Sequence, residues 1–85
     1  MIVKAFDIQG KKFKKTVKLI WIEDRIAVDF GFPIQYYIED LVEDYPYTDD
    51  FCIDIMGRNH GGFGSGPVCV SAKDMNEIVH QLIMN

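Results

Sequence analysis

The residues best suited to chemistry lie between Arg58 and Pro67, a stretch that reads Arg-Asn-His-Gly-Gly-Phe-Gly-Ser-Gly-Pro. It holds four of the seven glycines and joins two short apolar runs that read as strands. Glycine at this density serves unusual backbone angles or the close approach of another molecule. Exposed N–H groups of Gly61, Gly62, Gly64 and Gly66, beside Arg58 and His60, could cradle a phosphate. Arg58, Asn59, His60, Gly61, Gly62, Gly64, Ser65 and Gly66 therefore form one candidate ligand-binding set. The spacing matches neither a P-loop nor a dinucleotide fingerprint, and a strand rather than a helix follows. The plainer reading is a long hairpin loop, or one that grips a neighbouring subunit.

A second candidate is acidic. Tyr36, Glu39, Asp40, Glu43, Asp44, Tyr45, Tyr47, Asp49 and Asp50 interleave carboxylates with tyrosines. Tyrosine offers a large contact at little entropic cost, and the charges steer association with a basic surface. The plainer reading is a solvated helix face followed by an acidic loop. Glycosidase-type catalysis fits poorly, because a raised carboxyl pKa needs an enclosed pocket.

Catalytic and metal readings are weaker still. His60 could act as an acid–base group, and His80 sits on a helix flank. A Cys-His-Asp nucleophilic site from Cys52 or Cys69, His60 and Asp54 would need a thiolate in a polar pocket. Both cysteines lie in apolar strands, so two buried free thiols are expected. A cross-strand disulfide is the alternative in an oxidising compartment. No pair of ligand residues has metal spacing. No metal, cofactor or catalytic residue is expected, and the chain reads as a non-enzyme.

These residues must be positioned by a short chain. Its 85 residues make one domain, 1–85, with a formal net charge of −4 and 48% apolar residues. A domain of this size buries only about 60–65% of its unfolded surface. Its apolar content argues against disorder. Charge is unevenly spread: Lys4, Lys11, Lys12, Lys14, Lys15 and Lys18 face only Asp7 early in the chain, and acid dominates later. The lysine cluster reads mainly as an exposed strand face that discourages edge pairing. A net acidic chain repels a phosphate backbone, which argues against general nucleic-acid binding. No run is long enough to cross a bilayer as a helix, and the first residues lack the regions of a secretion signal. A cytoplasmic location is the expectation.

The periodicity predicts strands over residues 2–8, 12–22 and 26–30. In the second, Phe13, Val17, Leu19 and Trp21 fall on one face and Lys14, Thr16 and Lys18 on the other. A helix is predicted to open at Pro33, with Ile34, Tyr37, Ile38, Leu41 and Val42 as its apolar stripe, and to end at Tyr45-Pro46. Strands over 51–56 and 68–70 follow. Ser71 and Asp74 then cap a last helix striped by Met75, Ile78, Val79, Leu82 and Ile83. The order β-β-β-α-β-β-α predicts an α+β two-layer sandwich, a mostly antiparallel sheet with both helices on one face. The other face would carry Ile20, Ile22, Cys52, Met56 and Cys69, apolar enough to predict a homodimer or partner there.

The functional expectation is a small acidic binding protein of inhibitor or immunity type that occupies a macromolecular partner with a basic surface. The alternative is a small-ligand binder that holds a phosphate-bearing or nucleotide signal in the loop over 58–67, at a dimer interface.

Overall fold

The computed structural model describes residues 1–53 and 68–84. It is an α+β fold of two antiparallel sheets and two short helices. Strands β1 (Ile2–Phe6), β2 (Lys12–Thr16), β3 (Lys18–Ile22), β4 (Arg25–Asp29) and β5 (Gln35–Tyr37) precede helix α1 (Ile38–Glu43). Strands β6 (Phe51–Ile53) and β7 (Val68–Val70) lead into α2 (Ala72–Ile78), which continues as a π-helical turn over Val79–Ile83. The four-stranded sheet has the order β2-β1-β7-β6 and the three-stranded sheet β3-β4-β5.

The first hairpin is closed by side-chain chemistry. Asp7 Oδ1 accepts the N–H groups of Gln9 and Lys11, each at 2.9 Å, and Gly10 takes a left-handed φ of 86°. An aspartate that satisfies its own turn and a glycine free of the Cβ clash make a stable reversal. The long strand predicted over 12–22 is present but changes partners at Val17. That residue exchanges backbone hydrogen bonds with Met1, and beyond it the strand pairs with β4 instead of β1. One strand thus serves both sheets; beyond Val17, Ile20 and Ile22 are half-buried while Leu19 and Trp21 on the opposite face are exposed.

The main departure is the first helix. Its apolar stripe predicts a start at Pro33, yet residues 35–37 form β5, and α1 begins only at Ile38. Tyr36 pairs with Val28 and Tyr37 with Ala27. Aromatic residues fit a half-buried pleated surface, and pairing with β4 overrides the local helical period. Gly31, at φ 86° with its N–H donated to Asp29 Oδ1 at 2.8 Å, makes the turn that brings β5 back.

The last helix forms as its pattern dictates. Ser71 Oγ accepts the Asp74 N–H at 3.1 Å, satisfying one of the orphan donors at the helix start. Met75, Ile78 and Val79 are buried, and Leu82 and Ile83 are partly buried against the core.

The core is a single cluster. Val3, Ala5, Ile53, Val68 and Val70 come from one face of the larger sheet and Val28 from the smaller. Phe30, Leu41, Met75 and Ile78 fill the space between the sheets and helices. Trp21, predicted to face inward, is 69% exposed beyond the end of this cluster.

The predicted apolar outer face is divided. Period-two alternation and register put Cys52, Cys69, Phe6, Lys4, Lys12 and Lys14 on the outer face of the larger sheet, a mixed basic surface. Ile20 and Ile22 lie half-buried on the smaller sheet, beside Ala27 and Arg25. Met56 is outside the described residues. The cysteines also differ from expectation: they are neither free nor deeply buried. Register sets them directly opposite each other with Cα atoms 4.0 Å apart, and they form a disulfide.

Candidate functional site

The acidic candidate residues are spread over β5, α1, the 44–50 loop and its junction with β6. The structure sorts them into two roles. Tyr36 and Tyr47 turn inward. Tyr36 meets Phe51 edge-on at 5.2 Å between ring centroids and Phe30 at 6.1 Å. Tyr47 meets Phe51 edge-on at 5.9 Å, and its hydroxyl donates to the Leu41 carbonyl at 2.6 Å. The aromatic quadrupoles favour these edge-to-face contacts. The two tyrosines are framework for the site.

The carboxylates turn outward. Glu39, Asp40, Glu43, Asp44, Asp49 and Asp50 are all exposed. Asp44, Asp49 and Asp50 share one open hollow of about 260 Å³ with Pro46, Tyr47, Thr48 and Phe51. Chain reversal after α1 sets Asp44 on the same hollow as Asp49 and Asp50, and Phe51 lines it too.

The loop that carries these acids is held by one side chain. Asn76, on α2, accepts the Tyr47 N–H through Oδ1 at 2.6 Å and donates from Nδ2 to the Tyr47 carbonyl at 2.9 Å. A side-chain amide that reads both backbone groups of one residue fixes that residue's orientation. Burial first, then the nearby Asp44 carboxylate, pushes the Tyr47 phenol up to about 12. The phenol therefore stays protonated and keeps donating to Leu41 throughout the neutral range.

Glu39 is committed elsewhere. Arg25 Nη2 donates to its Oε2 at 2.6 Å, and the guanidinium lies 3.6 Å over the Tyr37 ring. The hydrogen bond from Arg25 is the largest influence holding the Glu39 carboxyl below its usual range. The same contact raises the Arg25 pKa. Glu39 thus presents a neutralised pair, while Asp40 and Glu43 continue the acidic face along α1.

Tyr45 lies half-buried beside a second hollow, of about 300 Å³, lined by Lys73, Asn76, Glu77 and His80. Its mixed charges distinguish it from the acidic hollow next to it.

Sequence reasoning missed Asn76, Phe51 and Arg25 as parts of the site. Asn76 carried a signal: asparagine competes with helical hydrogen bonding, so its place inside a helix favours a specific side-chain task. The ligand-binding candidates Arg58, Asn59, His60, Gly61, Gly62, Gly64, Ser65 and Gly66 lie outside the described residues. Among the described residues no three His, Cys, Asp or Glu side chains converge as metal ligands, and no helix is long and apolar enough to cross a membrane. No protein-family model, curated protein or solved structure matches the chain.

Proposed function

We propose that this chain is a non-enzymatic acidic binding protein of inhibitor or immunity type, and that its acidic hollow and the adjoining face of α1 occupy a basic surface on a protein partner. One observation carries the reading: Asp44, Asp49 and Asp50 line a common hollow on a loop that Asn76 fixes to α2. Carboxylates on a pre-positioned loop lose less entropy on binding than carboxylates on a floppy tail. A partner that brings arginine or lysine into the hollow meets exposed carboxylates there and is drawn in by long-range steering. Thr48 supplies a polar contact in the hollow.

Charge reversal tests this. Tagged wild-type protein and the Asp44→Lys/Asp49→Lys variant are used to recover partners from the host lysate, and the complexes are weighed by native mass spectrometry. A basic protein retained by the wild type and lost by the variant supports the reading. A partner held equally by both, or an increment of small-molecule size alone, refutes it.

A further inference from the structure

The Cys52–Cys69 disulfide stands where a reductant can reach it and where its loss has a defined consequence. Cys52 is exposed and Cys69 half-buried on the outer face of the larger sheet. Register places Lys12, Phe6, Cys69 and Cys52 in one row across the four strands. Among the described residues β6 forms the edge of the larger sheet, with β7 as its one strand partner. An edge strand has ladder hydrogen bonds on one side only, so the covalent link to β7 adds to what keeps β6 in place.

The inner side of β6 connects to the acidic hollow. Phe51, next to Cys52, lines that hollow with Asp49 and Asp50. Its ring also packs on Phe30, Tyr36 and Tyr47. Whatever loosens β6 therefore loosens one wall of the hollow.

We propose that Cys52–Cys69 is a reversible thiol-exchange site for dithiol reductants, and that its redox state sets the order of β6 and of the acidic hollow. One thiolate of the dithiol attacks Cys52 Sγ, on the more exposed of the two residues. The S–S bond breaks and Cys69 leaves as a thiolate, then takes up a proton. The second thiol of the reductant attacks the mixed disulfide and releases Cys52 as a thiol. Two electrons and two protons pass to the protein, and the reductant departs as a disulfide. Exposed disulfides are the labile and regulatory ones, and Lys4 and Lys12 give this face of the sheet a positive field that favours a thiolate. The consequence for partner binding rests on the function proposed above; the exchange chemistry and the loosening of β6 do not.

The test uses the full chain and dithiothreitol, with no partner present. Thiol alkylation and intact mass follow reduction of the folded protein, and amide hydrogen exchange maps the reduced state. Reduction within about tenfold of the rate in denaturant is expected for a bond exposed without unfolding. Exchange should then rise by at least about tenfold at Cys52, Ile53 and Tyr47 while Val3 to Ala5 on β1 keep their protection. The Cys52→Ser/Cys69→Ser variant should show the same exchange pattern and no response to dithiothreitol. A disulfide that resists reduction until the chain unfolds overturns the proposal. So does a reduced chain that loses protection everywhere or nowhere. Loss of partner binding on reduction would extend the mechanism to function. Binding that ignores redox state, with the exchange pattern as expected, would overturn only the coupling to the hollow.

Discussion

Asn76 and Tyr47, twenty-nine residues apart, are joined by two reciprocal hydrogen bonds between a side-chain amide and a backbone amide. Asn76→Ala removes both and leaves the Tyr47 backbone short of its partners. Leaving a partly buried donor and acceptor unpaired costs about 1–3 kcal/mol, well above the net value of an exposed hydrogen bond. Urea unfolding should show a drop in that range. Exchange of the Tyr47 amide should rise even under conditions where the whole chain stays folded. A stability loss below about 0.5 kcal/mol, the level of an ordinary surface change, would show that the loop is held by other contacts.

Tyr47 also makes stability fall in strong alkali. Its phenol, with a reference value of 10.0, is raised to about 12 by the fold. Below the reference value both states are protonated and the stabilisation is fully present. As pH climbs from about 10 to about 12 the unfolded chain ionises first, and stability is lost across that window. Tyr47→Phe removes this loss. The variant should be about 1 kcal/mol less stable near neutrality, for want of the bond to Leu41, and the gap should narrow as pH rises above 10. Thermal unfolding of both proteins from about pH 8 to about pH 11 measures the gap; a constant difference would contradict the assignment.

Glu23 sits at φ 58° in the two-residue turn between β3 and β4. That conformation costs a residue with a Cβ about 1–2 kcal/mol. Glycine avoids the clash but loses about 0.5–1 kcal/mol through the greater freedom of its unfolded chain. The first effect is the larger, so Glu23→Gly should raise stability by up to about 1.5 kcal/mol. Glu23→Val should lower it, since a β-branched residue tolerates positive φ poorly. Denaturant midpoints in the reverse order would exclude strain at this turn.

Phe30 is fully buried and stacks toward Phe51 with ring centroids 6.3 Å apart. Phe30→Ala removes a large side chain from the junction of both sheets, at a cost of about 3–5 kcal/mol. A chain of this length has about 4–13 kcal/mol in total. The variant should therefore lose a substantial share of its stability, seen as a lower denaturant midpoint and a lower Tm. A cooperative transition within a few degrees of the wild type would mean that the core relaxes around the vacancy.

Legibility in the sequence followed the range of the interaction. The Ser71 cap depends on residues a few positions apart, and it appears where its signal lies. The stripe from Met75 to Ile83 also packs as its period requires, because a helix's apolar face follows from its own residues. The stretch around Tyr36 was misread. Helical spacing and strand pairing both satisfied its apolar residues, and only the presence of β4 alongside could choose between them.

The candidate site shows the same division. The sequence by itself determined that the chain is an α+β domain with its negative charge concentrated after residue 38. It also determined which residues of the last helix are apolar enough to be buried. Tertiary structure decided that Asp44, Asp49 and Asp50 share a hollow, that Glu39 is taken by Arg25, that Tyr36 packs inward, and that Tyr47 both lines the hollow and anchors its loop. It decided, too, that Cys52 and Cys69 meet. The physical reason is that local sequence encodes periodicity and turn preference, whereas register and partner choice arise only when distant strands compete for the same core.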